Sequence, residues 1–317
     1  MRTLPISADL LPQWAGLLAA CEAIDNTGEH FGEADLAEFL IDPDMDLPRG
    51  SMSAWDGPEM VGDCLLQFRP SAQPVHQMRC YGDVHPQYRG RGIGSRLLAW
   101  AEGAAAELHT ERYGARPLAL EVQCQAGNAR ALRLFAQHGY REARRFYTMA
   151  CDLSAPPPDR PVPEGVKIAS FTPDLSADAL LVRNEAFHDH WGSADTAPDR
   201  WELQIGSEAF RAEYSLLGTD DAGTPLSIVM CYEFDAATAA TGHRDLHVWL
   251  VGTRRAARGR GIASALLARA LAVARADGFV TASLGVDADS PTGAVGVYER
   301  LGFTVTRTRV TFLRSLR

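Results

Sequence analysis

The sequence predicts an α/β fold, a mixed sheet flanked by helices, built twice in tandem. Three observations predict it. The order strand, turn, helix, strand, helix, strand can be read once in each half of the chain. An arginine–glycine turn, Arg89-Gly90-Arg91-Gly92-Ile93-Gly94, recurs without a gap as Arg258-Gly259-Arg260-Gly261-Ile262-Ala263. Between the copies, residues 154–165 (SAPPPDRPVPEG) are dense in proline, which neither a helix interior nor a central strand accepts.

The elements follow in the same order in both copies. Residues 76–84 (HQMRCYGDV) and 245–253 (DLHVWLVGT) read as strands leading into the turn. Leucines and alanines at helical spacing, without proline, then predict a helix after each turn. Apolar runs at 118–124 and 281–287 predict strands, and NARALRLFAQHGY from Asn128 and PTGAVGVYERLGF from Pro291 predict short helices. Gly139-Tyr140 and Gly302-Phe303 correspond, and the change in offset falls in LHTERYGARP, where a loop absorbs an insertion cheaply. Each half closes on a strand-like segment, 144–153 and 307–316. The expected domains are 1–154 and 166–317, with 155–165 an extended linker or crossing segment.

Composition narrows the class. With 317 residues there is material for two cores of ordinary size. No apolar run is long enough to span a bilayer, and the N-terminal residues lack a basic segment followed by a long apolar one. The six cysteines are scattered, as free thiols in a reducing compartment would be, so a cytoplasmic protein is expected. A net charge of -9 argues against a nucleic-acid partner and fits, weakly, a cationic small molecule. No membrane partner is expected, and the chain is expected to be a monomer or a weak homodimer.

A strand, a glycine turn and the first turn of a helix aim several backbone N–H groups and the positive end of a helix dipole at one point. That point is a ready site for a pyrophosphate. A side chain at Gly92, Gly94 or Gly261 would hold such a ligand off the backbone, and Ala263 is the smallest alternative. Arg89, Arg91, Arg258 and Arg260 would add charge-assisted contacts to phosphate oxygens. A Walker loop is excluded because GxxxxGK[ST] is absent, and Gly90-x-Gly92-x-Gly94 lacks the spacing of a dinucleotide fingerprint.

The pattern R-x-x-G-x-G/A between strand and helix resembles motif A of the GNAT (Gcn5-related N-acetyltransferase) superfamily, and the two short helices resemble its motif B. The strong part of the resemblance covers 76–150 and 245–317. It implies acetyl-CoA as co-substrate, with one CoA site in each copy of the turn, thus up to two per chain. It implies a sheet splayed at the CoA site, where the pantetheine arm lies like an added strand near Val84 in one copy and near Val251 and Thr253 in the other. Arg89, Gly90, Arg91, Gly92, Ile93 and Gly94, with Arg258, Gly259, Arg260, Gly261, Ile262 and Ala263, would then hold the pyrophosphate. The tandem layout is similar to that of the mycothiol synthases and their tandem relatives.

Acetyl transfer to an amine needs a base for the ammonium, a donor for the carbonyl oxygen as it turns anionic, and a proton for the departing thiolate. The resemblance puts the thiolate's acid on a tyrosine of the second short helix, Tyr298; the first copy has Phe135 there. Counting back from Arg258, strand alternation puts Thr253, Val251, Trp249 and His247 on one face, toward the acceptor. His247, a competent base near neutral pH directly or through water, stands where mycothiol synthases have a glutamate. The same count back from Arg89 ends on Met78. The C-terminal copy is thus expected to catalyse and the N-terminal copy to bind CoA or serve structure.

The acceptor side is less legible. Residues 183–205 hold His188, His190, Trp191 and Trp201, a lining for a polar ligand or a surface loop. Glu233 could meet a cationic acceptor or sit in solvent. The expected activity is N-acetylation of a small-molecule primary amine. Alternatives are mycothiol synthesis itself or a non-catalytic acyl-CoA-binding protein.

Overall fold

The computed structural model describes residues 1–69, 75–188, 190–290 and 292–316. Asp189, in the 183–205 segment, and Pro291, with which the second short helix was expected to begin, lie outside them. The chain divides into two compact units, Met1–Arg145 with Arg309–Arg317, and Phe146–Thr308.

The first unit contains β1 (Arg2–Leu4), α1 (Leu11–Asp25), α2 (Glu33–Leu40), α3 (Leu47–Gly50), β2 (Ser51–Asp56), β3 (Glu59–Phe68), β4 (His76–Tyr81), α4 (Ile93–Tyr113), β5 (Leu118–Gln125) and α5 (Ala129–Gln137). The next strand, β6 (Arg141–Asp152), carries the chain into the second unit. That unit continues with β7 (Val166–Ser170), α6 (Ser176–Phe187), α7 (Pro198–Ile205), β8 (Leu216–Asp220), β9 (Pro225–Tyr232), α8 (Asp235–Thr241), β10 (Asp245–Thr253), α9 (Ile262–Ala276), β11 (Thr281–Asp287) and α10 (Ala294–Glu299). The last strand, β12 (Thr304–Ser315), returns to the first unit.

Within the first unit the strands lie in the order β1-β2-β3-β4-β5-β12, and within the second β6-β11-β10-β9-β8-β7. Each run is antiparallel except for one central parallel pair, β4 with β5 and β10 with β11. The closing strands are exchanged, a departure from the boundaries read in the sequence. Phe146–Asp152 of β6 pair with β11, and Arg309–Ser315 of β12 pair with β5. Residues 155–165 are therefore not a linker between units. They lie within the second unit and run from β6, at one end of its strand order, to β7 at the other. Six strands span about 24 Å, and eleven extended proline-rich residues reach roughly 34 Å, so the crossing needs no folding of its own. Arg160 fastens it through a 2.7 Å hydrogen bond to the Arg300 carbonyl.

The helices after the turns are amphipathic as expected. Ile262, Ala265, Leu266, Ala270, Leu271 and Ala274 of α9 form its buried stripe, and Ile93, Leu97, Leu98, Ala101, Ala105 and Leu108 do the same on α4. Each fully buried leucine contributes about 2 kcal/mol of transfer free energy. No helix among the described residues is long and apolar enough to cross a membrane.

Candidate active site

The parallel pair in each unit opens as the sequence resemblance implied. β10 and β11 pair over Asp245–Val248 and Thr281–Leu284. Beyond that point β10 follows β9, while β11 follows β6 as far as Asp287. β4 and β5 pair over His76–Arg79 and Leu118–Glu121 before β5 goes on with β12. A gap bordered by backbone groups is thus built into each unit, and a turn of matching geometry stands at its end.

The turns differ from expectation in what their glycines and arginines do. Gly90, Gly92, Gly259 and Gly261 have φ of 81, 78, 76 and 82°, and a Cβ at any of them would meet nothing within 4 Å. They are needed for the left-handed backbone, not to make room within the protein. Gly94 is the reverse, since a Cβ there would come 3.3 Å from Leu134. The second copy accommodates Ala263 at this place. Neither α4 nor α9 has a side-chain N-cap, so the N–H groups of its first turn are left to a ligand or solvent.

Arg91 and Arg260 are exposed beside those N–H groups. Arg89 and Arg258 are not aimed at them: each folds back and donates from Nε to a backbone carbonyl five residues earlier, Val84 at 2.9 Å and Thr253 at 3.2 Å. Arg89 also makes a two-pronged ion pair with Asp25, at 2.7 and 2.6 Å, and Arg258 donates to the Ala186 carbonyl at 2.9 Å. These two arginines brace the turn, and the phosphate contact expected of them is corrected to a structural one.

The face expected of β10 is corrected as well. Its ladder to β9 shifts by one residue between Val248 and Leu250, so Trp249 is an inserted bulge residue. The indole is stacked on Tyr232, 4.9 Å between centroids, and on Trp201 at 5.9 Å. Past the bulge the alternation is inverted. Trp249 and Leu250 pack with Ile228 and Met230, whereas Val251 packs on the α9 side with Leu246 and Val248. Val251 and Thr253 therefore do not share the His247 face.

The bulge also corrects the correspondence between copies. The Val84 and Thr253 carbonyls are matched anchors, opposite Gly62 and Ser227. Five residues along the partner strands stand Gln67 and Tyr232, and these pair with Arg79 and His247. β4 has no bulge, so Arg79, not Met78, occupies the place of His247. Met78 points into the core under α4 and is 1% exposed. The first unit still has no base here, because a guanidinium does not release its proton. Arg79 is instead ion-paired at 2.9 Å to Glu121, which Arg69 also reaches at 2.7 Å.

Around His247 the second unit gathers side chains that the sequence reading missed. His247 Nδ1 lies 3.1 Å from Ser283 Oγ. Ser283 Oγ donates to Asp245 at 2.5 Å, and Thr281 Oγ1 donates to the other carboxylate oxygen, also at 2.5 Å. The register makes this possible, since His247 is paired with Ser283 and Asp245 with Thr281 on adjacent parallel strands. The trace in the sequence is two matched alternations, D-L-H-V and T-A-S-L, each polar on one face only.

Tyr298 on α10 is 7% exposed, and burial pushes its hydroxyl up to about 12. The Tyr298 hydroxyl makes no hydrogen bond among the described residues. Phe135 is its true counterpart: Tyr140 N bonds the Phe135 carbonyl at 2.9 Å as Phe303 N bonds that of Tyr298 at 3.1 Å. Of the expected acceptor wall, Asn184 pins the loop to Thr196 through two hydrogen bonds, and Trp191 packs near Phe146 at 6.2 Å. His190 lies against Phe187, and His188 is exposed. Trp201 is core, 1% exposed, with its Nε1 on Ser176. Glu233 is not solvated, and its carboxylate is already taken by cations of the protein itself. Arg244 and Arg211 clamp it at 2.6–3.0 Å and, mainly through the Arg244 hydrogen bond, hold its carboxyl below the usual range.

Known proteins agree with this architecture. The acetyltransferase (GNAT) family model matches 181–303, and an acetyltransferase (GNAT) domain model matches 51–142. A mycothiol acetyltransferase of Thermobispora bispora is 32% identical, over 79% of this chain and 78% of its own. One from Salinispora arenicola is 35% identical, over 73% and 71%. The crystal structure of a GCN5-related N-acetyltransferase from Sphaerobacter thermophilus aligns with a TM-score of 0.79 at 29% identity, covering 100% of this chain and 96% of that one. Two matched domains, full-length structural likeness and relatives above 30% identity have one reading: the chain belongs to the GNAT acetyltransferase family.

Proposed function

We propose that the protein transfers the acetyl group of acetyl-CoA to a primary amine of a small molecule, and that the second unit does the chemistry. The observation that carries the assignment is the asymmetry between matched positions. His247 and Tyr298 stand in one unit where Arg79 and Phe135 stand in the other. Backbone N–H groups of the turn at 258–263 and of the open edge of β10 suit the CoA pyrophosphate and pantetheine arm. Acetyl-CoA supplies the activated thioester.

His247 takes a proton from the ammonium, directly or through one water, and passes it to solvent. The amine nitrogen then bonds the acetyl carbon. The N–H groups beside the Trp249 bulge face the charge growing on the carbonyl oxygen. As the C–S bond breaks, Tyr298 gives its proton to the sulfur and recovers one from the acylated nitrogen. The products are the amide, CoA thiol and one released proton. The activity fits a cytoplasmic enzyme with a small-molecule partner.

The test is thiol release from acetyl-CoA across a panel of primary amines. Release with at least one amine is expected; none, despite tight CoA binding, favours a binding protein. The panel includes a cysteinyl aminosugar, because relatives named mycothiol acetyltransferase at 32–35% identity favour that narrower acceptor. We read the first unit as a second acyl-CoA site without chemistry, since its turn repeats the backbone geometry of the other. Calorimetry is expected to give two CoA per chain, and a stoichiometry of one with the first turn intact overturns that reading.

A further inference from the structure

We propose that Ser283, backed by Asp245, is a positioning residue that fixes the tautomer of His247 and directs its Nε2 toward the acceptor. The inference rests on the reading of His247 as the base. Its warrant is donor counting. A serine hydroxyl has one hydrogen, and an ionised carboxylate only accepts. The 2.5 Å contact to Asp245 Oδ2 therefore takes the Ser283 hydrogen, and Ser283 Oγ can act toward His247 only as an acceptor. Nδ1 must then carry the hydrogen of the neutral ring, which leaves the lone pair on Nε2. Asp245 is held in turn by Thr281 on its second oxygen, so both ends of the chain of hydroxyls are fixed by strand register.

When Nε2 takes a proton, the charge is shared through Nδ1–H and Ser283 with the Asp245 carboxylate. This is the work of an aspartate behind a histidine, with one hydroxyl interposed. Among the described residues, Phe234 stands 5.7 Å from the ring between centroids and Tyr232 lies across the ladder. Glu233, next in the chain to both, is occupied by Arg211 and Arg244. At the four matched places of the first unit stand Gln77, Arg79, Ala119 and Glu121, which cannot make the relay.

The experiment is the pH dependence of kcat and kcat/KM for Ser283→Ala, Ser283→Thr, Asp245→Asn and His247→Ala. Ser283→Ala is expected to lower kcat roughly tenfold or more, with the KM for acetyl-CoA little changed. Loss of the carboxylate's support favours the neutral ring, so the acid limb should move to lower pH by about half a unit or more, and Asp245→Asn should move it the same way. Ser283→Thr keeps the hydroxyl and should recover most of the rate. Nitrogen NMR of the ring should show hydrogen on Nδ1 in the native protein and a mixture in Ser283→Ala. A Ser283→Ala profile that overlays the native one, or a threonine variant no better than alanine, overturns the relay while His247→Ala still abolishes turnover. If His247→Ala itself leaves turnover intact, the base assignment fails first, and the two failures are distinguished.

Discussion

His247→Ala should lower kcat for acetyl transfer by roughly 10²–10⁴-fold, the usual worth of a positioned base. An alkyl ammonium with a pKa above 9 is less than about 1% deprotonated at pH 7, so without a base the reaction waits on a rare species. The KM for acetyl-CoA should hardly move, because the donor is bound by backbone groups elsewhere in the gap. His247→Glu should keep part of the rate, since a carboxylate on the same strand position can accept the same proton. Tyr298→Phe should cost less, roughly 10–100-fold, and should fold normally, since Phe135 fills the matched place at similar burial. With its hydroxyl pushed up to about 12, Tyr298 stays protonated through the working range and should place no alkaline limb below about pH 11. Turnover of His247→Ala within twofold of native across pH 6–9 would remove the second unit's claim to the chemistry.

What could be read in advance, and what could not, divides along physical lines. The turns, the helices after them and the strands 245–253 and 281–287 follow from local chemistry: glycine where φ is positive, helical periodicity, and β-branched runs. The closing strands were legible as strands but not as exchanged ones, since pairing partners are set by the whole sheet. A single inserted residue, Trp249, defeated the count by offset. It moved the first-copy counterpart of His247 from Met78 to Arg79 and turned Val251 to the other face, because strand periodicity is two and any insertion inverts it. The arginines at 89 and 258 read as phosphate ligands by type, yet their Nε groups donate to backbone carbonyls of the protein itself. Asp245, Thr281 and Ser283 were missed because each is an unremarkable strand residue alone. They acquire meaning only when two strands are laid side by side in register.

The buried triad of the first unit supports a prediction of stability without a change in chemistry. Glu121 is fully buried and accepts from Arg69 at 2.7 Å, Arg79 at 2.9 Å and Gln123 at 2.7 Å. Burial alone would raise its carboxyl, but the Arg79 and Arg69 guanidinium groups hold it below the usual range. Glu121→Ala leaves two half-buried cations without their anion and should cost about 3–5 kcal/mol, a fall of roughly 10 °C in Tm. Replacing all three residues together, Arg69→Met, Arg79→Met and Glu121→Leu, should recover most of that loss, because the desolvation penalty disappears with the charges. The sign with pH follows from the depressed carboxyl. Its contribution is present above the unfolded value, near 4.3, and is lost as pH falls through the lower folded one, so native and Glu121→Ala melting curves should converge below about pH 4. Turnover per folded molecule should stay at the native level, since the relay and Tyr298 belong to the other unit. If kcat in Glu121→Ala falls as far as in His247→Ala while the protein remains folded, then the first unit takes part in the reaction, and the division of labour between the two copies has to be redrawn.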